Sequence, residues 1–186
     1  MKYRTNVPAV SIGLPVFNGA NYIRLAIESI LSQTFEDFEL IISDNGSIDD
    51  TRAICEQYVR LDPRIRYHSF ATNQGAARNY NNVFELSCGK YFKWAAHDDE
   101  CYPEFLSRCV EVFEEGPSAI VVVYTKEHFI DAEGTIIREV SSEFSLATRH
   151  RSADRRLAHV LKVVGTAGAV FGLIKADALR KSRLID

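Results

Sequence analysis

Phe38-Glu39-Leu40-Ile41-Ile42-Ser43-Asp44-Asn45-Gly46-Ser47-Ile48-Asp49 is the stretch that decides the fold. Its first half, residues 38–43, is a short β-rich apolar run, of strand rather than helix length. The run gives way to Asp44, and Asn45-Gly46 supplies turn chemistry. Ser47 followed by Asp50 then resembles a capping box, opening a helix through Tyr58. A strand, a polar turn and a helix in close succession form the repeating unit of parallel sheets.

The same rhythm extends in both directions. Upstream, residues 9–16 are a second β-rich run, and residues 22–33 carry Ile23, Ala26, Ile27, Ile30 and Leu31 at helical spacing. Downstream, 65–70 and 91–95 read as strands and 76–87 as a helix. Residues 103–114 are a fourth helix, with Pro103 in its first turn and Gly116-Pro117 ending it. The run 119–124 is a further strand, and its continuous apolar core at 120–123 predicts burial on both faces. The expected class is α/β, a Rossmann-like, mostly parallel sheet with helices on both faces. After Tyr124 the rhythm changes. Residues 128–131 and 135–140 flank Ala132-Glu133-Gly134 and read as a hairpin. Residues 141–151 read as a polar connection or lid, 152–163 as a basic helix and 165–172 as a small-residue loop.

Bulk properties narrow the function. A chain of 186 residues, 46% hydrophobic and 25% charged, fits one globular domain. A net charge of -3 leaves no basic footprint for nucleic acid, so an anionic ligand must be held locally. No run approaches the ~18 apolar residues of a membrane span. Residues 1–8 lack the apolar stretch of a signal peptide. Cys55, Cys88, Cys101 and Cys109 show no paired short spacing and read as free thiols, and His97 with Cys101 and Cys109 matches no zinc pattern. The expected location is the cytoplasm or the inner face of a membrane.

In an open parallel sheet, ligands sit beyond the carboxyl ends of the strands. The four segments there are residues 15–19, 43–47, 73–79 and 97–100, the most polar and turn-rich parts of the first hundred residues. Asp98-Asp99, with Glu100 beside them, repel one another, and a hard divalent cation relieves that repulsion. Read alone, the pair serves equally well as a cap for the helix near Pro103. Asp44 alone reads more simply as a turn former than as a base contact. Gly75 and Arg78 stand at a helix start, where amides and a guanidinium can meet a diphosphate. No Walker loop, dinucleotide fingerprint or Gly-x-Ser-x-Gly elbow is present.

In this order the segments resemble glycosyltransferase family 2, inverting nucleotide-sugar transferases of GT-A fold. The resemblance rests on residues 10–18, on 28–35 and 38–49, on Asn73-Gln74-Gly75 with Ala77-Arg78-Asn79, and on His97-Asp98-Asp99-Glu100. It implies that Pro15, Phe17 and Asn18 border the nucleoside and that Asp44 bonds the base. Gly75 and Arg78 would lie near the base and diphosphate, Asp98 would contact the ribose or sugar, and Asp99 would bind Mn2+ or Mg2+. The implied partners are a nucleoside-diphosphate sugar, UDP-linked by preference, and a glycan or lipid-linked acceptor.

Two departures stand out. The family often has a second Asp where Asn45 stands and a further acid where Ala96 stands. Its catalytic carboxylate follows the small-residue segment, and this sequence stops at Asp186, so the base is expected beyond it. On that reading residues 1–102 are the donor half of one domain and 103–186 the start of an acceptor half. A non-catalytic nucleotide-binding module is the alternative.

Overall fold

The structure is a computed structural model and describes residues 7–139 and 168–185. Strand β1, Val10–Val16, alternates apolar residues with Ser11, Gly13 and Pro15, which gives it two unlike faces. Val10, Ile12, Leu14 and Val16 share a core with Ile23, Ala26, Ile27 and Ile30 of helix α1, Ile23–Leu31. The same core takes Phe38, Leu40 and Ile42 from β2, Phe38–Asp44, and Cys55 and Tyr58 from α2, Thr51–Leu61. Tyr58 also donates its hydroxyl to Glu28 of α1, tying the two helices at their polar edge. The small residues of β1 face α3, Ala76–Glu85, and let it approach closely. A Cβ on Gly13 would lie 2.5 Å from Val83 Cγ2 and 2.8 Å from Phe92 Cζ.

Strands β3, Ile65–Ser69, and β4, Tyr91–Trp94, complete a four-stranded parallel layer with β2 and β1. Helix α4, Phe105–Glu115, adds Leu106, Cys109 and Phe113 to the first core. Strand β5, Val122–Val123, and strand β8, Leu173–Lys175, finish the sheet, with β8 antiparallel to both β4 and β5. The order is β3-β2-β1-β4-β8-β5. From β1 the chain first grows toward β3 and then returns to the other side of β1 with β4. That reversal is a topological switch point, and the crevice beyond the ends of β1 and β4 is where such sheets bind ligands.

The expected α/β sheet with helices on both faces is therefore observed, with two local corrections. The run 119–124 is not a central strand. β8 inserts beside β4, so β5, two residues long, lies at the sheet edge and pairs with β8, and Val121 is half exposed. The capping box is also absent. Asp50 caps α2 without a side-chain bond, while Ser47 Oγ accepts the amide of Asn18 (2.9 Å). Ser47 is drawn to the β1 loop because Gly46, at φ +77°, folds the turn back. After β8 comes a one-turn helix, α5, Ala176–Leu179.

The chain divides into two compact units, one of Met1–Val123 with Leu173–Asp186 and one of Tyr124–Gly172. In the second unit the expected hairpin forms from β6, His128–Ile130, and β7, Ile136–Glu139. Asp131 Oδ1 accepts the amides of Glu133 (3.1 Å) and Thr135 (2.8 Å), and Gly134 takes φ +80°. Gly168–Phe171 is a 3-10 turn. The connection at 141–151, the basic helix at 152–163 and residues 165–167 lie outside the described residues. Among the described residues no helix is long and apolar enough to cross a membrane.

One buried carboxylate ties β2 to β1, β3 and the end of α3. Glu39 of β2 accepts Ser11 Oγ (2.6 Å) and Arg66 Nη1 (2.9 Å), and the Cys88 thiol also donates to it (3.2 Å). Burial alone would raise its pKa, but the bonds from Ser11, Arg66 and Cys88 outweigh that and lower it below 4.5. A depressed carboxylate stabilises the fold above its unfolded pKa and loses that contribution as pH falls through its folded pKa. Glu39→Gln is therefore expected to cost about 1–3 kcal/mol at neutral pH. In denaturant titrations the gap from the unmodified protein should close as pH drops below 4.5. A gap that stays constant with pH would contradict the charge-based account.

Candidate functional site at the sheet switch point

The end of β2 builds the first wall. Asp44 is fully buried (0%). Its Oδ1 accepts the Ser47 amide (2.8 Å) and its Oδ2 accepts the Tyr67 hydroxyl (2.6 Å). The first bond is the turn role expected of an aspartate here. Burial and then the Asp44 bond raise the Tyr67 pKa, so its hydroxyl is a proton donor at neutral pH.

The β1 loop is clamped to this turn. Asn18 adopts φ +51°, a left-handed conformation that asparagine tolerates. Its Oδ1 accepts the Ile48 amide (3.0 Å), while the Gly19 amide bonds Thr51 Oγ1 (2.9 Å) and the Ala20 amide bonds Asp49 Oδ2 (3.1 Å). Pro15 lies buried in β1, whereas Phe17 stands 42% exposed at the rim.

The third loop is locked by a residue whose role the sequence did not reveal. Asn45, 2% exposed, donates Nδ2 to Asn73 Oδ1 (2.9 Å) and to the Gly75 carbonyl (3.1 Å). Its Oδ1 accepts the Gln74 amide (2.8 Å), and its own amide bonds the Val16 carbonyl (2.8 Å). Asn79 adds two bonds from α3, to the carbonyls of Val16 (3.2 Å) and Ser43 (3.0 Å). Gly75 needs its φ of +86° to enter α3, and a Cβ there would meet only open space. Its amide is already given to Asn73 Oδ1 (2.8 Å). Arg78 is turned along its own helix and pairs with Glu85 (2.8 Å), so it does not join the other loops.

The fourth wall follows β4. A Cβ on Gly19 would lie 2.5 Å from the His97 ring, so the β1 and β4 ends touch across the switch point. Asp98 and Asp99 follow His97 and reach the surface, with His97 Nδ1 at 3.8 Å from Asp98 Oδ1. Surrounding protein, and then the charge of Asp98, raise the Asp99 pKa, with Lys93 and His97 opposing them. Burial and then the charges of Asp98 and Asp99 raise that of Tyr80. Lys93 is buried in β4 with its ammonium 4.6 Å from the Phe105 ring centre, a cation–π contact.

The loop after the acidic pair is anchored to the end of α1. Gln33 donates to the Tyr102 carbonyl (2.8 Å) and accepts the Leu106 amide (3.0 Å), capping α4 from outside. Ser29 Oγ accepts the Cys101 amide (3.1 Å), and the Thr34 amide bonds the Pro103 carbonyl (2.9 Å). The α4 cap is thus filled by Gln33, which weakens the reading of Asp98-Asp99 as capping residues. The helix pattern places Gln33 beyond the last apolar turn, so nothing in periodicity marked it as buried. Lys93 had one signal, its place in a strand flanked by aromatic residues.

Among the described residues no cluster of three or more His, Cys, Asp or Glu forms a metal cage. Two adjacent carboxylates, with the ionisation of Asp99 made costlier by Asp98, suit Mg2+ or Mn2+, which take one or two carboxylates plus substrate oxygens. The four cysteines are free thiols.

Residues 11–175 match the profile of Glycosyl transferase family 2. Chondroitin synthase of Escherichia coli is 37% identical over 131 residues, covering 70% of this chain and 19% of that protein. The chain spans between about a fifth and two fifths of the first matched relatives, 21% of one and 40% of another. Among solved structures, S. aureus TarS in complex with UDP is similar at TM-score 0.72 and 19% identity, over 92% of this chain and 48% of that one. Its complex with UDP-GlcNAc is similar at 0.54 and 25% identity, over 57% and 31%. A mannosyltransferase from Pyrobaculum calidifontis in complex with GDP-Man and Mn2+ is similar at 0.58 and 19% identity, over 66% and 37%.

Proposed function

Because this chain belongs to glycosyl transferase family 2, we propose that its switch-point crevice binds a nucleoside-diphosphate sugar and serves an inverting transfer to an acceptor hydroxyl. The observation that carries the reading is the contact of Gly19 with the His97 ring. It seats the acidic pair beside the nucleoside-side loops, at the position where parallel sheets bind ligands. The UDP-GlcNAc and GDP-Man complexes of the structural neighbours support the ligand class.

In this reading Pro15, Phe17 and Asn18 border the nucleoside and Asp44 takes the base. Asp98 contacts the ribose or sugar, and Asp99 holds Mn2+ or Mg2+. A bound metal would stabilise negative charge on the leaving diphosphate. Gly75 and Arg78 lie toward the diphosphate, and Arg78 reaches it by exchanging Glu85 for phosphate oxygens. Both partners are exposed, so that exchange costs little. The acceptor oxygen bonds the anomeric carbon as the bond to the diphosphate breaks, and a carboxylate not assigned in this chain takes the hydroxyl proton. The relation to chondroitin synthase favours a growing glycan or a lipid-linked acceptor. The place of action is the cytoplasm or the inner face of a membrane.

The test is to incubate the intact protein with UDP-sugars, metal and glycan acceptors and to determine the anomeric configuration of the product by NMR. An inverted product is expected. A retained configuration would refute the single displacement, and no transfer from any nucleotide-sugar would refute the enzyme reading.

A further inference from the structure

The surroundings of Asp44 restrict which base it can accept, and this inference rests on the proposed donor site. A carboxylate can meet one or two donors of a base edge. Uracil and thymine offer one imino N–H between two carbonyls. Guanine offers an imino N–H and an amino N–H side by side, a match for both oxygens of one carboxylate.

Here the two oxygens are not equivalent. Oδ1 accepts the backbone amide of Ser47 (2.8 Å), which closes the turn through Gly46 at φ +77°. That turn packs closely on the loop after β3, where a Cβ on Gly46 would lie 2.9 Å from the Thr72 backbone. Oδ2 accepts only a side chain, the Tyr67 hydroxyl (2.6 Å). The remaining side is packed by α2, where burial and then the charge of Asp44 push the Cys55 thiol up to about 12. Asp44 as a whole is 0% exposed, so a base reaches it only where a bonded partner yields. A tyrosine side chain can swing on its own bonds, whereas the Ser47 amide moves only with the turn.

We propose that Tyr67 is a positioning residue that gates Asp44 Oδ2, so that the site takes nucleoside diphosphates of uracil or thymine in preference to guanine. One imino N–H replaces one phenol O–H on Oδ2, while Oδ1 stays covered by the Ser47 turn, out of reach of the guanine amino group. The exchange leaves the number of hydrogen bonds to the carboxylate unchanged.

The experiment is calorimetric titration of the intact protein and its Tyr67→Phe variant with UDP, dTDP and GDP in the presence of Mn2+. In the unmodified protein UDP and dTDP should bind about 10-fold or more tighter than GDP. In Tyr67→Phe, UDP should gain about 10-fold, because it no longer competes with a hydrogen bond to a charged acceptor. A merely structural role for Tyr67 would leave affinity unchanged or weaken it. Equal or tighter GDP binding in the unmodified protein would overturn the selectivity, and that arm stands even where the variant fails to fold. Unchanged or weaker UDP binding by folded Tyr67→Phe would overturn the gate. If none of the three nucleotides bound the unmodified protein, the donor-site reading itself would fall.

Discussion

Asp99→Asn is expected to lower metal-dependent sugar transfer by about 100-fold to 1,000-fold, the scale lost with one electrostatic contact to developing charge. The substitution keeps the shape of the side chain and removes its charge. Affinity for UDP without metal should stay within about twofold, because Asp44, Asn18 and the 73–75 loop belong to other walls of the crevice. The fold should also survive. Surrounding protein and the charge of Asp98 raise the Asp99 pKa, so ionising it works against folding, and removing the charge relieves that repulsion. Thermal unfolding of the variant should occur at the same temperature or slightly higher. Steady-state transfer rates measured against Mn2+ concentration give the first quantity. Full metal-dependent turnover in the variant would rule Asp99 out as the metal ligand.

Asn45→Asp is expected to destabilise the protein by about 2–4 kcal/mol and to weaken nucleotide binding by about 10-fold or more. The asparagine amide donates to Asn73 Oδ1 and to the Gly75 carbonyl. A carboxylate places an acceptor against both. Asn73 could rotate its amide to meet the new acid, but the Gly75 amide would then lose its own acceptor, Asn73 Oδ1. The Gly75 carbonyl has no such freedom. The result is a buried charge beside unpaired polar groups, and a loosened loop at the nucleotide. Urea unfolding and UDP titration measure the two effects separately. An Asn45→Asp variant as stable as the unmodified protein would show that the loops are not held by this side chain.

The sheet was legible because its pattern is local. The alternation in residues 10–16 and the strand–turn–helix order at 38–58 depend only on neighbours in sequence. The error at 120–123 came from the same source. An apolar run reports burial of its residues, but not which strand will lie beside it, and β8 comes from fifty residues further along. The strand-end loops were found by topology, and the structure brings three of the four predicted segments into direct bonds with the β2 turn or the β1 end. What could not be read was the internal hydrogen bonding. Ser47, Asn45 and Gln33 are polar residues in turn or helix-end settings, and their partners lie across the fold, up to 73 positions away for Gln33. Arg78 illustrates the opposite limit, since its helix-start position was plain and its turn toward Glu85 was not.

The most direct test is the affinity of the intact protein for UDP, by calorimetry, with and without Mn2+. Binding at the switch point with a metal on Asp99 predicts that Mn2+ tightens UDP binding by about 10-fold or more, and that Asp99→Asn abolishes the gain. Absent binding, or an affinity unaltered by Mn2+ in folded protein, would contradict the account.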